Sequence, residues 1–391
     1  MSSQSERPSY DLLDPDFFAA GPHDAFTWMR ANEPVYRDDK NGMWVITRHA
    51  DVLDVERRAE VFSSRGAYRA IPTEGEENMI AHDDPTHLAQ RRIVNRRFTP
   101  RSVRDQHDEF ADLIDELITA FVDEGRVEVV DGLAAPLPSR LTCRMLGFDE
   151  GEWPLVKSWS ERLMRIDSRE LDDGRMLEFL GANMELYQRV NEEHAALSGC
   201  PADHLMGVWA NHEAYDVDRM FHEVGLFVSG GAETTRTVIA HGLRTFCDHP
   251  DQWEAMYEDP DLATTAVEEM IRWVTPLNNM FRTAVADDEV GGQPIAAGDR
   301  LMLAYPSANR DEAVFDDPFT FDITRNPNPH IAFGHGTHFC LGANFARHEL
   351  VLLLQKLSAA ITELAPLTEP DVEPNVFARA VRSFDLAFKP R

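Results

Sequence analysis

Apolar residues recur at helical spacing, or helix-favouring residues dominate, over Asp24 to Ala31, Arg101 to Glu124, Gly151 to Ile166, Met176 to Leu197, Val217 to Asp248 and Thr264 to Trp273. A further helix-forming stretch runs from Ala343 to Glu363. Runs with strand character are fewer and shorter: Val35 to Tyr36, Met43 to Thr47, Arg300 to Ala304 and Asp385 to Phe388, with another near Arg282 that ends in turn signals at Asp287-Asp288 and Gly291-Gly292. The pattern predicts a mostly α body with a smaller β-rich lobe. No repeat or low-complexity tract interrupts it, and segments such as Arg325 to Pro329 read as ordered loops, so residues 1–391 are expected to form a single domain.

Composition narrows the class of protein. The four cysteines are isolated from one another, which suggests a reducing compartment. Met1 to Asp14 is polar, with neither a basic nor an apolar leader segment, and no run of about eighteen apolar residues occurs. A soluble cytoplasmic protein without a membrane anchor is expected. The formal charge of −30 argues against a nucleic-acid partner, because phosphate binding needs a basic surface. One basic segment stands against that background: Arg91, Arg92, Arg96, Arg97, Arg101 and Arg104. It reads either as a solvated helix face or as a docking surface for an acidic partner.

The richest chemistry surrounds Cys340, in Phe333-Gly334-His335-Gly336-Thr337-His338-Phe339-Cys340-Leu341-Gly342. A cysteine at the end of a glycine-rich turn, directly before a helix, has its sulfur near the positive helix end, which favours thiolate. Three readings compete: a buried core cysteine, a ligand to structural zinc together with His330, His335, His338 or His348, or the axial ligand of a haem. Zinc sites usually pair close ligands such as C-x-x-C, and Cys143, Cys200 and Cys247 lie far off. Glycines at Gly336 and Gly342 would let backbone approach a flat macrocycle.

Two further patterns need an explanation. Gly230-Gly231-Ala232-Glu233-Thr234-Thr235 sets two glycines inside the long helical stretch, at about 1 kcal/mol each relative to Ala. Either another helix crosses closely there, or the missing side chains clear room for a bound group while Glu233 and Thr234 handle protons. Glu269-Met270-Ile271-Arg272 places Glu and Arg three apart, the spacing of an ordinary surface ion pair. His87 and Arg91, four apart, share a helix face.

Taken together and in this order, these motifs resemble those of the cytochrome P-450 haem-thiolate monooxygenases. The family's F-x-x-G-x-x-x-C-x-G loop is met by Phe333, Gly336, Cys340 and Gly342. The resemblance implies the cytochrome P-450 fold, haem b ligated by Cys340, and propionate-binding residues at His87, Arg91, Arg282 and His338. It implies an oxygen-activating acid and threonine at Glu233 and Thr234, and a structural Glu269, Arg272 and Arg325 set below the haem. The expected reaction inserts one atom of dioxygen into a C–H bond of an apolar substrate. Electrons would come from an external ferredoxin and its reductase, docking near Arg92 and Arg96; a monomer is expected.

The distal pocket in the family corresponds to parts of Ala67 to Ile80, Met176 to Leu197, Phe221 to Val228, Val274 to Phe281 and Val376 to Phe377. These offer Met79, Ile80, Phe221, Val224, Val228, Leu277, Met280 and Val376, each of which is equally well read as core packing. Ser229 to Arg236, Asn279 to Arg282 and Arg325 to Gly342 are especially similar to actinobacterial members that oxidise sterol side chains or methyl-branched lipids, while Gly199 to Asp218 is short for that group. The alternatives are a monooxygenase of terpenoid, polyketide or aromatic intermediates, a peroxide-using peroxygenase, and a non-catalytic ligand carrier. A cysteine hydrolase using Cys340 with a neighbouring His is the non-haem rival.

Overall fold

The helix Val217–Asp248 runs through the middle of the molecule and sets the position of everything around it. Its first turn is capped by Asp216, whose side chain accepts from the Arg219 N–H. Of its apolar residues, Val224, Val228, Ile239, Leu243 and Phe246 are almost completely buried. The helices Trp153–Met164 and Pro136–Leu146 pack on one side of it, and Ala263–Val274 on another. Ala343–Ala360, the helix after Cys340, packs against Ala263–Val274 and His107–Phe121. The computed structural model describes residues 7–66, 68–72, 75–166, 173–200 and 202–391. Ala67, Thr73, Glu74 and Pro201, which fall inside two of the segments singled out above, and the first six residues of the polar N-terminus lie outside these.

The β-rich lobe is a five-stranded sheet in the spatial order Val35–Asp38, Met43–Ile46, Arg300–Ala304, Asn279–Ala284, Phe62–Ser63. Antiparallel pairing of Arg282 with Leu301 buries Arg282 at the edge of the site. A three-stranded sheet of Arg126–Glu128, Asp385–Pro390 and Ile361–Pro366 closes the far end of the chain.

Two expected helices end differently. Ala343 to Glu363 stops as a helix at Ala360, because Ile361 to Pro366 pairs with Asp385–Pro390 as a strand. Arg101 to Glu124 divides into Pro100–Arg104, His107–Phe121 and a 3-10 turn, Val122–Glu124. The helices His49–Arg57 and Pro136–Leu146 are absent from the sequence expectation.

The double glycine divides its two explanations between its members. A Cβ on Gly231 would stand 2.9 Å from Thr142 Oγ1, so this glycine permits the crossing of helix Pro136–Leu146. A Cβ on Gly230 would meet nothing within 4 Å, because that position faces a cavity.

Candidate active site

That cavity, about 260 Å³, lies between the long helix and the loop that presents Cys340. On one side are Gly230, Gly231, Thr234 and Thr235; on the other are Phe333, Cys340, Leu341, Gly342 and Phe345. The Cys340 loop is held by its own backbone, the Cys340 N–H donating to Phe333 O at 2.9 Å. Phe333 is covered by the Arg347 guanidinium at 4.5 Å, and Arg347 is tied to Glu268 at 2.6 Å.

The sulfur receives N–H groups from Gly342 and Ala343, as a cysteine before a helix should. Burial nevertheless outweighs them, together with Arg91 and Arg347, and the Cys340 thiol is pushed up from its usual range rather than down. The expectation of a thiolate from the helix end alone is therefore corrected: a thiolate here needs a further positive charge, as a metal ion would provide. Zinc is a poor candidate, since no group of three or more His, Cys, Asp or Glu among the described residues could hold a metal ion. His330 faces Glu268, His335 faces Arg57, and His348 packs on His107 and Phe110.

One rim of the cavity is lined by His87, Arg91, Arg282 and His338. The rings of His87 and His338 pack against each other with centroids 4.2 Å apart and planes tilted by 43°. The Nδ1 of His87 is held by Asp84 at 2.8 Å, while the Nε2 atoms of both rings are buried without a partner. Burial, with Arg282 nearby, pushes His338 down to about 2, so it is neutral and can donate from Nε2. The orphaned donor of His338 beside two guanidinium groups fits an anionic edge, as does His87 once protonated, since its neutral ring gives its one N–H to Asp84; the wide cleft with a single thiol fits a flat macrocycle with carboxylate tails.

Thr234 lines the cavity and donates to Gly230 O at 2.8 Å. Glu233 does not line it. Its carboxylate is 1% exposed and both oxygens accept from Arg236 within 2.6 Å, with Arg236 also bound to Glu161 on Trp153–Met164. Gly336 is likewise corrected: its φ of +70° and the 2.4 Å that would separate a Cβ from Glu56 O show that it admits backbone packing on helix His49–Arg57, away from the cavity. The glycines that the cysteine loop does bring to the cavity wall are Gly334 and Gly342.

Glu269, Arg272 and Arg325 meet in the buried region beside the cysteine loop. Arg272 donates twice to Glu269 at 2.7 Å and to the carbonyls of Asn309, Pro318 and Thr320; Arg325 reaches Glu269 at 3.2 Å. Glu269 also accepts from the Asp322 N–H and from Asn328. The cluster pins the segment leading to Cys340 onto helix Ala263–Val274.

Of the proposed substrate-contact residues, Met79, Ile80, Leu277 and Met280 line the cavity. Phe221, Val224, Val228 and Val376 do not: they pack in apolar cores, Phe221 against Tyr187. The sequence reading missed Phe98, Met145 and Met164, and within its named stretches did not single out Leu226, Phe227 and Phe377; these complete the apolar walls. Leu226 and Phe227 lie within the stretch named above, but the face turned inward is one residue off. Arg236 was also missed, although its i, i+3 spacing from Glu233 repeats that of Glu269 and Arg272. Glu56 and Glu349, buried carboxyls that touch the cavity, gave no signal of their own beyond a charge beside apolar neighbours.

A thiol beneath a wide cleft, a glycine and threonine opposite it and cationic groups along one edge define a haem-thiolate enzyme. Comparison with known proteins agrees. A family model described as Cytochrome P450 matches residues 202–359. A steroid C26-monooxygenase of Mycolicibacterium smegmatis is 38% identical over 400 residues, covering 100% of this chain and 98% of that protein. A linalool 8-monooxygenase of Pseudomonas putida is 33% identical, covering 91% and 92%. A Mycobacterium marinum cytochrome P450 solved with pseudoionone superposes with a TM-score of 0.89 at 31% identity, covering 98% and 100%. The chain belongs to the cytochrome P450 family. It is a haem-thiolate monooxygenase of an apolar substrate, supplied with electrons by redox partners. Among the described residues no helix is long and apolar enough to cross a membrane.

Proposed function

We propose that this P450 hydroxylates the terminal side-chain carbon of a steroid. The observation that carries the reading is the 38% identity, end to end, with a steroid C26-monooxygenase. The apolar walls formed by Met79, Ile80, Met145, Met164, Phe227 and Phe377 suit a hydrocarbon chain. In this reading all 391 residues act as one domain, a monomer in the cytoplasm, and a ferredoxin with its reductase is the electron source. Its docking surface includes Arg92 and Arg96, both exposed on the segment that follows His87.

When bound, the haem supplies dioxygen reduction and the transfer of one oxygen atom to a C–H bond, the thiolate favouring O–O cleavage. The chain's residues do the rest. Cys340 would hold the iron; His87, Arg91, Arg282 and His338 would hold the cofactor's carboxylates; Gly230 leaves room across the cavity from the cysteine loop. Thr234 offers its hydroxyl to a proton path, relinquishing its bond to Gly230 O. Glu233 reaches that path only by swinging away from Arg236. Glu269, Arg272 and Arg325 keep the cysteine loop in register.

The test is an optical titration of the ferric protein with sterols bearing intact side chains, the same ring systems without them, and terpene alcohols. Tight spin-state shifts confined to sterols with side chains, followed by a terminal alcohol in the turnover product, are expected. Shifts by terpene alcohols alone would overturn the steroid reading in favour of the linalool-type relative.

A further inference from the structure

The buried carboxyl of Glu56 occupies a place in the site that neither the motifs nor the chemistry above accounts for. It lies at the end of helix His49–Arg57, 4% exposed, and borders the cavity beside Arg282 and His338. Its Oε1 accepts the Tyr305 hydroxyl at 2.6 Å, with Arg282 Nη2 at 3.7 Å, and the carboxyl also accepts the backbone N–H of His335. Its Oε2 is buried with no partner. The cysteine loop is built against this residue: a Cβ on Gly334 would lie 3.2 Å from Oε1, and one on Gly336 would strike the Glu56 carbonyl.

We propose that Glu56 is a positioning residue for the cofactor's carboxylate edge, holding a proton on Oε2 that it shares with the carboxylate drawn in by Arg282. The inference rests on the reading of Arg282 as a cofactor-holding residue. Three observations combine. An unpartnered oxygen in a buried site calls for a hydrogen-bond partner supplied by a ligand. Two carboxyls drawn to one guanidinium cannot both ionise at close range, so one proton is shared between them. Burial already pushes Glu56 up to about 7, against the pull of Arg282 and the hydrogen bonds from Tyr305 and the His335 backbone.

The groups facing Glu56 come from each element packed on it. Arg282 lies on strand Asn279–Ala284, Tyr305 begins the short helix Tyr305–Ala308, His335 and His338 belong to the cysteine loop, and Arg57 adjoins it in sequence and bonds the His335 ring. Tyr305 is held well above its ordinary value by burial beside Glu56, so it stays a donor across the accessible range. One-electron reduction at the cofactor would add a negative charge nearby and so would raise the proton affinity of Oε2. The proton comes from solvent and the electron from the external donor.

The experiment is spectroelectrochemical measurement of the ferric/ferrous midpoint potential of the holoenzyme from about pH 6 to about pH 9, for wild type, E56Q and Y305F. The wild-type potential is expected to fall as pH rises through this window. E56Q, which cannot lose the proton, should be flat there; Y305F, which removes a hydrogen bond to the ionised form, should move the falling region to higher pH. A purely packing role for Glu56 would leave both profiles like wild type, and that result overturns the proposal. Should E56Q fail to retain haem, the Y305F shift decides alone, its absence again overturning the proposal. Failure of the underlying reading looks different: R282A would then bind haem as tightly as wild type, whatever the potential does.

Discussion

Replacing Arg236 by Met tests how the long helix keeps an acid buried beside the reactive cavity. Arg236 is 4% exposed, gives both its Nη2 bonds to Glu233, and joins Glu161, which Lys157 links onward to Asp131 at the surface. Methionine keeps much of the length and packing but leaves Glu233 facing no positive charge. Breaking such a buried pair by removing one partner costs about 3–5 kcal/mol, because the remaining charge is stranded. Glu233 can escape part of that by taking up a proton. Burial already raises its pKa, opposed by Arg236, and removal of the arginine raises it further.

The sign of the pH dependence follows. A carboxyl whose pKa is raised in the folded state binds more protons there than when unfolded, so its contribution to stability falls as pH rises. The deficit of R236M relative to wild type is therefore largest at high pH and shrinks as the pH approaches the ordinary carboxyl range. Urea unfolding of the holoenzyme, followed by circular dichroism at several pH values, reads this directly. E233Q/R236M should recover most of the loss, since no charge is stranded. A double mutant as unstable as the sum of the two single ones, or a deficit independent of pH, would refute the account.

Other expectations concern the two glycines, the threonine and the arginines. Gly336→Ala forces a Cβ to 2.4 Å from Glu56 O at φ +70° and should cost at least about 1–2 kcal/mol with loss of haem, whereas Gly230→Ala meets no atom within 4 Å, should keep the fold and should alter substrate-induced spin shifts; calorimetry and optical titration separate them. Thr234→Ala should leave urea stability within about 1 kcal/mol of wild type while product formed per electron consumed falls; full coupling would remove the hydroxyl from the proton path. Neutralising Arg92 and Arg96 together should weaken the Kd for ferredoxin more at low salt than at high, measured by titration at two ionic strengths.

How much of this molecule the sequence exposes depends on whether the information is local. The helix Val217–Asp248 was legible to the residue, because a capping Asp and a long apolar periodicity act within one segment. So was the tie between Glu269 and Arg272, set by a three-residue spacing on a helix. The end of the helix after Cys340 was not: Ile361 to Pro366 becomes a strand through pairing with Asp385–Pro390, and nothing local announces the partner.

The same division runs through the site. The residue types and their order already specify a thiol ligand, an acid and threonine on one helix, and basic groups spread along the chain, since each motif is a short pattern whose chemistry resides in its own side chains. Orientation is another matter. Whether Glu233 faces the cavity or Arg236, whether Gly336 makes room for a ligand or for Glu56, and which residues of Phe221 to Val228 turn inward were decided by helices crossing and by desolvation. Burial pushes the Cys340 thiol up against the helix end that would lower it, and brings Glu56, 284 positions earlier in the chain, to the wall of the same cavity. A sequence carries donors, acceptors and charges; only packing fixes which of them lose water and which face each other.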